Sequence, residues 1–180
     1  MNKQPRKGDW PFLCAWLSLL LIAGYLQATD VSFHGNLVDN ACVFEQDGGA
    51  QEVVFPTVAA KFFSTHTRTE TKVFSVGLKN CPESVRDKLV NLTFSFPQQE
   101  ELGGVRMLRP DGNTGVLIAL VDSAGKAIEP EKPVSVGNIS ATGTGTVNRF
   151  SLGAYVTVPP DRVVKPGQYS ATTTFTVGFE

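Results

Sequence analysis

The chain has 180 residues, 42% of them hydrophobic, with 16 Lys and Arg against 17 Asp and Glu. That length holds one domain of ordinary size and excludes two comfortable ones. A net charge of −1 excludes the strongly basic surface that a nucleic-acid binder needs to neutralise phosphates.

Met1–Phe12 carries Lys3, Arg6 and Lys7 against one acid, Asp9. Leu13–Leu26 (LCAWLSLLLIAGYL) is a 14-residue apolar run, short of the roughly 20 residues that a spanning helix needs. Ala28 supplies a small residue at a cleavage point. A basic head, a short apolar middle and a small residue predict a secretory signal peptide over residues 1–28. A membrane anchor is the alternative, and the length of the run argues against it. Leu26 is large for its place before the cut, so the cleavage point is free to shift by a few residues. Removing Lys3, Arg6, Lys7 and Asp9 with the leader leaves 152 residues, with 13 basic and 16 acidic side chains. No later apolar run reaches spanning length.

Of three cysteines, Cys14 leaves with the leader. Cys42 and Cys81 remain, an even count in an exported chain, and one disulfide is the natural reading. Two buried free thiols are the alternative. Closing this loop stabilises the fold by roughly 3–5 kcal/mol on the chain-entropy account.

Past the leader, apolar residues recur with period two, which places one strand face on a core and the other in water. Val31, Phe33 and Leu37 alternate with polar neighbours, with Gly35 in register between them. Phe74, Val76 and Leu78 form a second run, and Val90, Leu92, Phe94 and Phe96 a third. Gly115–Val121 is continuously apolar, as a strand buried on both faces would be. Phe150, Leu152, Ala154, Val156 and Val158 alternate again, and so do Phe175, Val177 and Phe179. Turn signals stand between them at Gly48-Gly49, Gly103-Gly104, Pro110-Asp111-Gly112, Asp122–Gly125 and Pro166-Gly167. Val58–Phe63 and Pro82–Lys88 read as helical turns. Short strands with frequent turns predict an all-β sandwich.

Catalytic and metal chemistry finds little to work with. The two histidines, His34 and His66, have no ligand spacing to a second His, Cys, Asp or Glu, and read as surface residues. No G-x-S-x-G elbow is present. Thr142–Thr146 (TGTGT) is neither a dinucleotide nor a Walker motif, and a strand pattern rather than a helix follows it, so it reads as a flexible loop or hairpin. The sequons at Asn91 and Asn138 read as chance.

Five segments resemble chaperone–usher pilins in that family's order: Asp30–Cys42 (DVSFHGNLVDNAC), Phe74–Cys81 (FSVGLKNC), Gly115–Ile128, Arg149–Val158 (RFSLGAYVTV) and Val163–Glu180. Together they span the chain beyond the leader. Within the family, the opening with an acid, then V-x-F-x-G-N-L, is similar to the adaptor class of P-pilus tip subunits. Phe179 stands where the family more often has tyrosine.

The resemblance implies an incomplete immunoglobulin-like β-sandwich that lacks its last strand and is completed in trans by a donor strand. It divides the chain into a signal peptide (1–28), a donor-strand extension (29–38) and a pilin domain (39–180). It implies that Val31, Phe33 and Leu37 fill pockets in a neighbouring subunit, with Gly35 where the groove is shallow. It implies that a periplasmic pilus chaperone binds the strand of Phe175, Val177 and Phe179 and anchors the carboxylate at Glu180. An outer-membrane usher and neighbouring subunits on both sides are the remaining implied partners. Passage through the periplasm to a fimbrium on the bacterial surface is the implied destination. The sequence stops directly after the Phe175–Phe179 alternation, which fits an unpaired last strand. The simpler alternative is that Val31–Leu37 is the first strand of its own sandwich.

Three functions compete. The first is a structural pilus subunit without enzymatic activity or cofactor, a minor tip adaptor joining tip fibre to rod, or else a rod or terminator pilin. The second is a single-domain tip adhesin for host glycans, although the pilin-like pattern leaves no room for a separate receptor domain. The third is an enzyme on a β-sandwich, for which the sequence offers no catalytic constellation.

Overall fold

The structure, a computed structural model, describes residues 42–45 and 51–180. The leader and the alternating run of Val31, Phe33, Gly35 and Leu37 lie outside the described residues, as do His34 and the Gly48-Gly49 turn.

Among the described residues, nine strands form two antiparallel sheets. In chain order they are β1 (Val43–Phe44), β2 (Lys72–Lys79), β3 (Leu89–Ser95), β4 (Gln99–Leu102), β5 (Val105–Leu108), β6 (Leu117–Val121), β7 (Pro133–Asn138), β8 (Val147–Thr157) and β9 (Thr174–Phe179). The larger sheet has the order β1-β2-β8-β6-β5-β4 and the smaller the order β7-β3-β9. The only described helices are single 3₁₀ turns at Ala60–Ser64 and Glu83–Val85, within or beside the two segments where helical turns are expected.

The alternating runs fall on β2, β3, β8 and β9, and their apolar members face one core. Val76 and Leu78 of β2, Val90, Leu92 and Phe94 of β3, and Phe150, Leu152 and Val156 of β8 are all buried there. β6 is the continuous run, and all five of its residues are buried. Ile118 and Leu120 join the main core, whereas Leu117 and Ala119 pack with Met107 on the other face. Burial on both faces is why the alternation vanishes there.

Besides the two-residue β1, three strands carry no comparable sequence signal. β4 and β5 are four residues each, joined by Gly103-Gly104 with φ of 60° and 80°, the left-handed pair that a tight hairpin turn requires. β7 begins at Pro133 and contains a bulge, where Val90 pairs Gly137 but Asn91 pairs Ser135.

The disulfide joins Cys42 to Cys81, tying the start of β1 to the end of β2. Beside it, the buried Asn148 is fully engaged. Its Oδ1 accepts from the amides of Ser140 and Ala141, both at 3.0 Å, and its Nδ2 donates to the Ala141 carbonyl at 2.8 Å. Thr142–Thr146 is a loop, as expected, but a fastened one. Gly143 donates to the Cys81 carbonyl at 2.8 Å and Gly145 to Asn80 Oδ1 at 2.8 Å. Thr142 bonds Glu83, which also pairs with Arg86. Those bonds correct the expectation of a flexible segment.

Candidate functional site

A two-sheet sandwich has sheet edges, and each unpaired edge offers a row of amides and carbonyls to any passing strand. Among the described residues the outer strands are β1 and β4 in the large sheet and β7 and β9 in the small one. Three are blunted. β1 has two residues. β4 reads Gln-Glu-Glu-Leu, and its Glu100 is engaged by Arg162. β7 carries a proline and a bulge. β9 (Thr-Phe-Thr-Val-Gly-Phe) has six residues and no charge, proline or bulge.

The ladder fixes which backbone groups of β9 have no partner among the described residues. Leu89 and Glu180 exchange two hydrogen bonds, of 2.8 and 3.0 Å. In an antiparallel pair such doubly bonded partners alternate with unbonded ones. Following the register from Leu89, the bonded pairs are Asn91 with Gly178, Thr93 with Thr176 and Ser95 with Thr174. The amides and carbonyls of Phe175, Val177 and Phe179 therefore point away from β3, toward the outer edge.

The same three residues turn their side chains inward, where all three are half-buried against the core. Their counterparts on β3 (Val90, Leu92 and Phe94) are almost wholly covered. Across the gap, Phe44 meets Phe175 edge to face at 5.5 Å, and Phe94 lies 5.4 Å from it. Farther along, Phe55 meets Tyr169 at 6.4 Å, and burial raises the Tyr169 phenol above its ordinary pKa. Residues 51–58 form no strand, yet Val53 and Phe55 are half-buried while Val54 is exposed. The result is an apolar strip with Phe44 and Phe55 on one wall and β9 with Tyr169 on the other.

With Phe175, Val177 and Phe179 on β9 and Glu180 directly after it, sequence reasoning named these four as a chaperone-binding strand. It missed Phe44, Phe55 and Tyr169. Tyr169 sits in a loop without periodicity, and Phe44 and Phe55 each have too few alternating neighbours to mark a strand. His66 is exposed and stacks on Phe62 at 4.2 Å. No cluster of three or more metal-ligating side chains occurs among the described residues.

The two antiparallel sheets form an immunoglobulin-like sandwich of the kind that pilin subunits have. The family model described as Fimbrial protein matches residues 31–180, and the chain belongs to that family of structural pilus subunits. It is 36% identical over 163 residues to "Fimbrial adapter PapK" of Escherichia coli, covering 86% of this chain and 90% of that one. It is 35% identical over 162 residues to "Protein PrsK" of Escherichia coli, with the same coverage. Among solved structures it is similar to the P pilus rod subunit PapA, with a TM-score of 0.62, 19% identity, and coverage of 78% of this chain and all of that one. It is also similar to a subunit of a chaperone–usher pilus, with a TM-score of 0.63, 20% identity, and coverage of 86% and 97%. At these identities the structural likeness speaks for the fold.

Proposed function

We propose that this subunit is a minor tip adaptor of a chaperone–usher pilus, assembled by exchange of a donor strand. The observation that carries the reading is the β9 edge, where Phe175, Val177 and Phe179 present open backbone groups beside a half-covered core. An added strand satisfies the amides and covers the apolar strip together. Each apolar side chain it buries contributes roughly 1.5–3 kcal/mol.

In this scheme residues 1–28 direct export and are removed. A periplasmic chaperone first pairs with β9 along Phe175, Val177 and Phe179, holding the acidic end at Glu180. At the outer-membrane usher the extension of a neighbouring subunit replaces it. This chain's own extension, residues 29–38, enters the next subunit with Val31, Phe33 and Leu37 as anchors and Gly35 at the shallow point. The pilin domain is 39–180. The adaptor assignment follows the likeness to a fimbrial adapter.

The test is co-expression with the chaperone and candidate pilins, followed by sizing of the heat-resistant complexes. Short complexes with one partner on each side are expected. Long homopolymers would overturn the adaptor assignment. A mature chain that accumulates alone as a cooperatively melting monomer would overturn strand exchange.

A further inference from the structure

A cleft of about 400 Å³ lies between residues 60–67 and residues 158–164. Both walls of the apolar strip connect to it along the chain. Residues 51–58 continue into the first lining segment, and residues 158–164 lead through Tyr169 to β9. Phe63 and Val164 line the cleft and also pack on the main core. Its ionisable lining is Lys61, His66 and Arg162, with no carboxylate among the described residues. Arg162 donates to Glu100 at 3.2 and 2.5 Å, so its charge is partly answered from behind. Lys61 is exposed, with no acidic partner among the described residues. A positively lined end on an apolar strip suits an extended segment whose apolar stretch ends in an acid.

The chain's own extension has that form. Asp30 and Asp39 flank Val31–Val38, a stretch of about 26 Å when extended. Whichever way such a strand runs along β9, it carries a carboxylate at the end nearer the cleft. We infer that the cleft receives an acidic residue flanking the incoming strand of a neighbouring subunit, and that this charge contact speeds strand capture. The inference rests on the strand-addition reading and adds an electrostatic selector to it.

The experiment uses the chaperone-bound subunit and a labelled peptide of residues 29–40, in an excess large enough to override preference between extensions. Its incorporation rate is compared with that of the Asp30→Asn, Asp39→Asn double variant. At low salt the double variant should enter about fivefold more slowly, and the gap should close in 1 M salt, where screening is nearly complete. Lys61→Glu in the subunit should slow the wild-type peptide and leave the double variant unaffected. Lys126→Glu, outside the cleft lining, should change neither. Equal rates for the two peptides would overturn the selector and leave strand addition standing. Failure of both to enter, together with failure of the extension of every candidate neighbouring pilin, would overturn strand addition itself.

Discussion

β7 and β9 are the two outer strands of one sheet, six residues each, and both pair with β3. Their free edges differ in kind. β7 starts with a proline and is broken by a bulge at Gly137, where φ is 135°. Neither device occurs on β9, whose outward-facing residues are Thr174, Thr176 and Gly178. Length and ladder partner are shared, so those cannot explain the difference. Edge protection is written residue by residue, and its omission on one strand leaves that edge able to pair with a further strand.

Moving β7's device onto β9 gives the largest expected effect. Val177→Pro removes an amide that faces the open edge, so no bond to β3 is lost. Recovery of the chaperone-bound complex should fall on the order of a hundredfold, because proline denies the added strand its central donor. Thr176→Pro is the contrasting variant. It breaks the β3 ladder and should lower the melting temperature of any complex that forms. Equal recovery of wild-type and Val177→Pro complexes would break the comparison.

A second, smaller effect concerns the opposite wall. The Cys42–Cys81 bond holds β1, and so Phe44, facing Phe175. Replacing both cysteines with serine should cost about 4 kcal/mol by the chain-entropy account, read as a lower denaturation midpoint of the strand-completed subunit. Strand capture should slow as well, since one wall is no longer held. An unchanged midpoint would show that β1 contributes little to the closed state.

The smallest effect belongs to a surface clamp away from either edge. Hydrogen bonds from Arg86 and Thr142 hold the Glu83 carboxyl at about 2, below its ordinary 4.5. A depressed folded pKa means that its stabilising contribution is complete above about 4.5 and is lost as the pH falls through 2. The melting temperatures of wild type and Glu83→Gln should therefore differ most at pH 5 and converge toward pH 2. Strand capture at neutral pH should be the same for both.

Much of this architecture was legible in the residues. Phe74–Leu78, Val90–Phe96, Phe150–Val158 and Phe175–Phe179 each bury one face, so hydrophobic alternation alone reveals them. Gly115–Val121 was readable for the opposite reason, since β6 is covered on both sides. β4 and β5 escaped because four residues carry too little periodicity, and Glu100 and Glu101 mask what there is. β7 escaped because its proline and bulge, the features that blunt its edge, also interrupt its pattern. Of the site, β9 was visible and the facing wall was not. Asn148 had no sequence signal, since its role depends on a loop folding back onto it.

The coincidence of inward side chains and outward amides on Phe175, Val177 and Phe179 has a consequence for proofreading. An arriving segment displaced by one position can still zip its amides to the edge, but its greasy residues then face water. Displacement by two positions restores the facing but shifts every apolar contact. Correct placement thus differs from each near miss by many contacts at once, and a misplaced segment has reason to leave before the right one locks in.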